Sequence, residues 1–184
     1  MGEKIVILDR DGVINKESRA YIKSPNEWHP IEGSIDGIAL LTKADFTITI
    51  ATNQSGLGRG LFNKSSLDDI HKKMNMAIEK AGGCIGKIFV CPHTPDDHCN
   101  CRKPMPGLLM QIAAHYKISI TGIPFLGDSL NDIQAAKAAG AREILVRTGN
   151  GLITEKLLKA NGQNIETYDN LLMFAHQIIK EEHI

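Results

Sequence analysis

A chain of 184 residues, 42% hydrophobic and 23% charged, is long enough for one well-buried domain and short for two. Its 21 basic residues balance 21 acidic ones, which argues against the net basic face of a nucleic-acid binder. No apolar run approaches the roughly 20 residues of a membrane-spanning helix, and Met1–Asp11 is too short, and too acidic at its end, for a signal peptide. A cytoplasmic protein is therefore expected, and its four cysteines are expected as thiols or metal ligands rather than a disulfide framework.

In chain order, Lys4–Leu8 is a continuous apolar, β-rich run that ends at Asp9. A loop over residues 15–32 follows, carrying Trp28, which is expected to pack against the domain rather than wall a substrate site. Ser34–Lys43 has helical spacing, with Ile35, Ile38, Ala39 and Leu41 on one broad face. Phe46–Ala51 reads as a strand leading into Thr52-Asn53. Ser65–Lys80 reads as a helix capped around Ser65-Ser66 and stopped by Gly82-Gly83. Strand Lys87–Val90 leads to Cys91, and the irregular segment Asp96–Asn100 precedes helix Gly107–Tyr116. Strand Ile123–Leu126 leads to Gly127-Asp128, helix Leu130–Ala139 is followed by Gly140 at its C-cap, and strand Glu143–Val146 and helix Leu171–Lys180 close the series.

Mostly continuous apolar strands alternating with helices mean an α/β fold: a doubly wound, Rossmann-like parallel sheet with helices on both faces. Residues 1–184 show no linker or repeat and read as a single domain. About forty residues separate Asp11 from Thr52 and about fifty separate Thr52 from Lys103. Each gap is already filled by loop, helix or strand, so neither leaves room for a separate cap domain.

Open parallel sheets bind ligands beyond the carboxyl ends of their strands, where Asp9, Thr52, Cys91 and Asp128 fall. Asp9 and Asp11, two apart in extended chain, point the same way. Two carboxylates so placed need a cation or a shared proton. Asp128, with Asn131 and Asp132 just beyond, adds oxygen ligands suited to Mg²⁺, which takes few carboxylates and keeps room for phosphate. Thr52-Asn53-Gln54-Ser55-Gly56 offers hydroxyls, amides and backbone N–H groups, and Arg102-Lys103 offers positive charge. Each piece alone is more often a solvated turn or pair. Together, at the ends of separate strands, they form a cradle for a metal-bound phosphoryl group.

Cys91-Pro-His93 and Cys99-Asn-Cys101 place three thiols and an imidazole within eleven residues, the ligand set of a closed tetrahedral Zn²⁺ site. With no open position, such an ion would pin the loop ahead of Arg102 and Lys103 rather than activate water. Cys84 is expected to be a buried small hydrophobe. His71, His98, His115, His176 and His183 show no evident partners in the sequence and are read as solvated or structural.

Asp9-x-Asp11-Gly12-Val13, Thr52, Lys103 and Gly127-Asp128-Ser129-x-x-Asp132 resemble the four motifs of the haloacid dehalogenase superfamily of phosphatases. The resemblance implies that Asp9 is the nucleophile, forming an aspartyl-phosphate, and that Asp11 is the general acid and then the general base. It implies that Thr52 and Lys103 position and neutralise the phosphoryl group. Mg²⁺ would be held by Asp9, the backbone carbonyl of Asp11, and Asp128. A pKa raised toward neutrality would suit the double task of Asp11.

Within that superfamily, Asp9-Arg-Asp-Gly-Val-Ile-Asn15, Tyr21, Thr52–Gly56, the Cys/His loop and Cys101-Arg-Lys-Pro104 are similar to the D-glycero-D-manno-heptose-1,7-bisphosphate 7-phosphatases. Histidinol-phosphate phosphatases share nearly all of these. The first resemblance implies removal of a sugar 7-phosphate in the synthesis of nucleotide-activated heptose for lipopolysaccharide. By matching position, Arg102 would contact substrate beyond the transferred phosphate, and Tyr21, Asn53, Gln54, Ser55 and Ser129 would line the pocket. Only five residues separate His93 from Cys99, a shorter loop than is common in that group. More distant alternatives are a DNA 3′-phosphatase and a non-catalytic phosphate-binding module. The expected partner is a small phosphorylated sugar, without nucleic acid or membrane, and the expected state is a monomer.

Overall fold

The structure is a computed structural model that describes residues 4–182; His183 lies outside them. Ile5–Leu8 (β1) is buried along its whole length. Alternate residues of a strand face opposite sides, so Val6 and Leu8 enter one apolar core and Ile5 and Ile7 another. That requirement for cover on both faces is met by a central strand of a parallel sheet.

Thr47–Asn53 (β2) pairs with β1 on one side and Pro124–Gly127 (β4) pairs on the other, both parallel. Ile88–Cys91 (β3) lies beyond β2, and Arg142–Val146 (β5) and Glu166–Tyr168 (β6) lie beyond β4. The order is β3-β2-β1-β4-β5-β6. The sheet grows outward from β1 in one direction, then restarts at β4 and grows in the other. The point of reversal leaves a crevice at the carboxyl ends of β1 and β4.

Three helices cover the Val6–Leu8 face: Ser34–Lys43 (α1), Lys64–Lys80 (α3, after the single turn α2, Ser55–Gly58) and Leu171–Glu181 (α7). Gly107–Tyr116 (α4) and Leu130–Ala139 (α5) cover the Ile5–Ile7 face. Gly151–Ala160 (α6) sends Leu158 against Leu145 and Ile133 in a smaller cluster. Trp28 is fully buried in the first core, so it is not a substrate wall. Lys73 donates to the carbonyls of Pro25 and Trp28 and fastens the 15–32 loop to α3.

The five expected strands and five expected helices are present, with differences at the ends. Helix α3 starts at Lys64, because the Asn63 side chain accepts from the Ser66 N–H at 2.9 Å; Ser65 and Ser66 lie inside the helix rather than capping it. Helix α6 and strand β6 occupy the stretch left without elements. α6 buries only Gly151, Thr154 and Leu158 and turns Leu152, Ile153 and Leu157 to solvent, so its apolar pattern is not a clean stripe. β6 is three half-buried residues. Cys84 is exposed, not a buried hydrophobe, since its segment follows Gly82-Gly83 out of α3. Between β1 and α1 the chain runs through turns and one 3-10 turn (Pro25–Glu27), and between β2 and β3 it holds only α2 and α3. Among the described residues no insertion stands over the strand ends.

Candidate active site

The carboxyl ends of β1, β2 and β4 open onto a cleft of about 340 Å³. Asp9, Asp11, Tyr21, Asn53, Gln54, Arg102, Lys103, Asp128 and Ser129 all line it. Sequence reading did not place Glu17, Ser18, Ile22 or Asn150 there, yet they line it as well.

Lys103 reaches the floor from the Cys/His loop. A reciprocal pair of bonds holds its backbone: Asn53 Nδ2 donates to the Lys103 carbonyl at 3.0 Å, and the Lys103 N–H donates to Asn53 Oδ1 at 3.1 Å. The amide of Asn53 thus anchors Lys103 at the cleft lining. The Lys103 ammonium lies 2.8 Å from Asp9 and 2.6 Å from Asp132. Asp132 is also the capping-box partner of Ser129 at the start of α5, and their side chains meet at 2.5 Å. Asp128 accepts from the Asn150 N–H at 2.7 Å, and Thr154 Oγ1 donates to its carbonyl at 2.8 Å. Asn150 also bonds the Glu17 carboxylate, joining the loop after β1 to the start of α6. Gly12, at φ +82, passes close to Asp128 in a conformation that only glycine adopts freely.

Two expected residues stand elsewhere. Thr52 is completely buried and does not line the cleft; its Oγ1 accepts from Gln54 Nε2 at 2.9 Å. Ser55 is the first residue of α2 and is buried away from the cleft.

The charges oppose one another. Burial pushes Asp9 well up, against the pull of Lys103, and the neighbouring Asp132, Asp128 and Asp11 push further. Burial and Asp132 raise Asp128 to about 7, although the Asn150 N–H works the other way. Lys103 is raised: burial disfavours the ammonium, but Asp132 and Asp9 outweigh it. Asp11 differs from expectation. Burial would raise it, but the Arg10 guanidinium and hydrogen bonds from Asn15, Arg10 and Gln54 hold it below the usual carboxylate range. Its resting form is the ionised one.

Three buried carboxylates against one ammonium leave excess negative charge that a divalent cation would cancel. Asp9, Asp128 and Asp132 each offer an oxygen within 4.8 Å of the others. Both oxygens of Asp132 are engaged, by Lys103 and by Ser129. Lys103 and the Arg10 N–H meet Asp9 at Oδ1, and the Asn150 N–H meets Asp128 at Oδ2. Among the described residues, Oδ2 of Asp9 and Oδ1 of Asp128 therefore remain free for an ion.

The Cys/His loop forms a second metal-ligating group, Cys91, His93, Cys99 and Cys101. The sulfurs of Cys91 and Cys99 are 3.7 Å apart, Cys91 and Cys101 3.2 Å, and Cys99 and Cys101 3.5 Å. His93 Nδ1 lies 3.6 Å from Cys91 and 3.3 Å from Cys101. Disulfide sulfurs sit roughly 2.0 Å apart, so these are thiols. A tetrahedral ion with metal–sulfur bonds of roughly 2.3 Å sets its ligand atoms about 3.8 Å apart, near the edges observed. Burial, with the Cys101 contact, raises Cys91 to about 12. Cys99 falls to about 7, because the Arg102 N–H and its neighbours outweigh burial. His98 stands outside the cluster. His71, expected without a partner, meets Arg10 at 3.3 Å, and His115 packs edge-on against Phe89 and Tyr116.

A buried aspartate after a central strand, a second carboxylate two residues on, a lysine and a divalent-ion corner define a phosphoryl-transfer site. A family model described as "HAD-hyrolase-like" matches residues 100–171, and relatives align over nearly the whole chain. The chain belongs to the haloacid dehalogenase-like hydrolase family, among its phosphatases. It is 48% identical over 180 residues to D-glycero-beta-D-manno-heptose-1,7-bisphosphate 7-phosphatase of Bordetella bronchiseptica, covering 97% of this chain and 99% of that one. It is 47% identical to the same-named protein of Pseudomonas putida, over 96% of this chain and 99% of that one. The solved structure of the B. bronchiseptica D,D-heptose 1.7-bisphosphate phosphatase, complexed with magnesium and phosphate, superposes with a TM-score of 0.92. That superposition covers 97% of this chain and 99% of the other, at 48% identity.

Proposed function

We propose that this protein hydrolyses the 7-phosphate of D-glycero-D-manno-heptose 1,7-bisphosphate. One observation carries the chemistry: Asp9 lies in a buried cleft within 2.8 Å of Lys103, with Asp11 and Asp128 lining the same cleft. The substrate follows the printed names of relatives 47–48% identical over nearly the whole chain. Arg102 fits it, as a cation separate from Lys103 on the cleft lining and so a partner for a second phosphate.

In the first step Asp9 attacks phosphorus, the bond to the sugar O7 breaks, and Asp11 gives its proton to that oxygen. In the second, Asp11 takes a proton from a water that attacks the aspartyl-phosphate, releasing phosphate and free Asp9. Asp11 rests ionised, so it gains its proton as the anionic phosphate enters beside it and favours the neutral acid. Lys103 neutralises the phosphoryl group, and Thr52 positions it once Gln54 gives up the Thr52 hydroxyl. Tyr21, Asn53, Gln54 and Ser129 shape the substrate side; Ser55, expected there too, lies behind the lining at the start of α2. Mg²⁺, held by Asp9, the Asp11 carbonyl and Asp128, supplies charge neutralisation at the phosphoryl oxygens. Zn²⁺ is the fitting ion for Cys91, His93, Cys99 and Cys101, where it would serve structure. We read residues 1–184 as one domain, monomeric and cytoplasmic, serving synthesis of activated heptose for lipopolysaccharide.

A phosphate-release screen with Mg²⁺ tests this, using both anomers of heptose 1,7-bisphosphate, other sugar bisphosphates and histidinol phosphate. The heptose compound should be preferred, and Asp9→Asn should be inactive yet folded. A flat profile removes the substrate assignment; full activity of Asp9→Asn removes the mechanism.

A further inference from the structure

Arg10 lies between the two aspartates in sequence, and the chemistry above gives it no task. Its side chain is 1% exposed, and burying a guanidinium is costly unless it is paired. Its pairing is narrow. Nη2 donates to both oxygens of Asp11 at 3.0 Å, Nη1 lies 3.3 Å from His71 Nε2, and Nε has no partner among the described residues. Asp11 is its only ion-pair partner among the described residues. A cation kept in a buried site for one carboxylate acts on that carboxylate.

Asp11 is held from three sides: by Arg10, by Asn15 Nδ2 at 2.9 Å and by Gln54 Nε2 at 2.9 Å. Asn15 and Gln54 are neutral amides, so of the three Arg10 alone brings an opposing charge to Asp11. Arg10 is braced in turn by His71 of α3. The imidazole is pushed down to about 4 by burial and then by Arg10 itself, so it stays neutral and can accept from the guanidinium. Asp68 and Lys64 also face His71, and their opposite charges oppose one another there.

We propose that Arg10 is a positioning residue for Asp11, fixing the carboxyl group where it meets the leaving oxygen, with His71 of α3 as the brace. The proposal rests on Asp11 being the general acid. It makes the core-facing helix α3 a contributor to proton transfer without any of its residues touching substrate.

Leaving-group chemistry tests it. kcat/KM covers only the steps through cleavage of the phosphorus–oxygen bond, so hydrolysis of the aspartyl-phosphate does not enter. A sugar alkoxide must be protonated as it leaves; nitrophenolate need not be. kcat/KM is measured on heptose 1,7-bisphosphate and on p-nitrophenyl phosphate for Arg10→Met, Arg10→Lys, His71→Leu and Asp11→Asn. Arg10→Met should lower the sugar value by about 100-fold and the aryl value by less than about 3-fold. Arg10→Lys should recover about 10-fold of the loss, and His71→Leu should show the same selectivity at about 10-fold. Equal losses on both substrates would mean that Arg10 binds phosphate or only supports the fold, and would overturn the proposal. If Arg10→Met does not fold, absence of selective loss in both Arg10→Lys and His71→Leu overturns it. Asp11→Asn separates the two levels. Equal loss there removes the acid assignment itself, whereas selective loss there without it in the Arg10 variants removes only the role of Arg10.

Discussion

Asp128 shows how one side chain links charge, metal and pH. Its folded pKa of about 7 stands above the roughly 3.9 of an unfolded aspartate. Between those values the folded protein holds a proton that the unfolded chain has lost, so stability contributed by this site falls as pH rises through that window. Asp11 has the opposite sign: held low, it stabilises above the unfolded value and loses that contribution as the solution becomes strongly acidic. Mg²⁺ takes carboxylates only in their charged form, so if Asp9 and Asp128 hold it as proposed, binding expels the proton on Asp128 and any on Asp9. Calorimetric titration of metal-free protein, in buffers of differing ionisation heat, should find more protons released at pH 6 than at pH 8. Equal release at both would mean that the carboxylates are already ionised without the cation.

Gly12 matters to the same corner for a steric reason. At φ +82 a side chain is strained, and a Cβ there would overlap the Asp128 carboxylate. Gly12→Ala should weaken Mg²⁺ affinity about 10- to 100-fold, as displacing the support of a ligand does. The Mg²⁺ dependence of turnover measures it; an unchanged midpoint would show that Asp128 does not hold the ion. Gly12 was visible in the sequence as part of the Asp-x-Asp-Gly motif, though not as the residue that meets Asp128. The sequence did not make Arg10 legible, because an arginine next to two aspartates reads locally as a solvated ion pair. His71, which reveals it, comes from another element 61 residues away.

Among the elements, the Cys91–Cys101 loop was readable because metal ligands have fixed residue types, and the observed sulfur separations suit one ion. Its functional weight lies at its exit. The Arg102 N–H donates to Cys99 Sγ at 3.3 Å and its guanidinium to the His93 carbonyl at 3.2 Å, so two residues of the Cys/His cluster orient the cleft arginine. Cys99→Ser should lower bound zinc from about one ion per chain and raise KM for the bisphosphate about 10-fold or more, through Arg102. Elemental analysis alongside kinetics decides it. Metal content unchanged by the substitution would exclude Cys99 as a ligand. Helix α6 and strand β6, by contrast, escaped the sequence reading. A helix whose exposed side carries Leu152, Ile153 and Leu157 has no amphipathic signature, and three half-buried residues make too short a run to register.

At the scale of the molecule, the order β3-β2-β1-β4-β5-β6 explains why residues more than a hundred positions apart form one site. Asp9 and Asp128 end the two strands that meet where the sheet reverses its growth. The sheet edge at β5 and β6 is tied to α7 by Arg142, which pairs with Glu166 at 2.7 Å and with Glu181 at 3.3 Å. These groups are about one-third exposed, and such pairs contribute only about 0.2–1 kcal/mol each. Apolar packing outweighs them. Phe174 is completely buried in α7, beside Leu171, Ala175 and Ile178, and meets Tyr168 edge-on at 5.5 Å. Phe174→Ala should cost about 3–5 kcal/mol, or roughly 10 °C of melting temperature for a chain of this length. Helix α7 lends no residue to the cleft, so kcat/KM measured well below the melting transition should be unchanged. A loss of activity in fully folded Phe174→Ala would mean that the core under β1 sets the geometry of Asp9 and Asp11. The catalytic corner could then not be treated as rigid independently of the far end of the sheet.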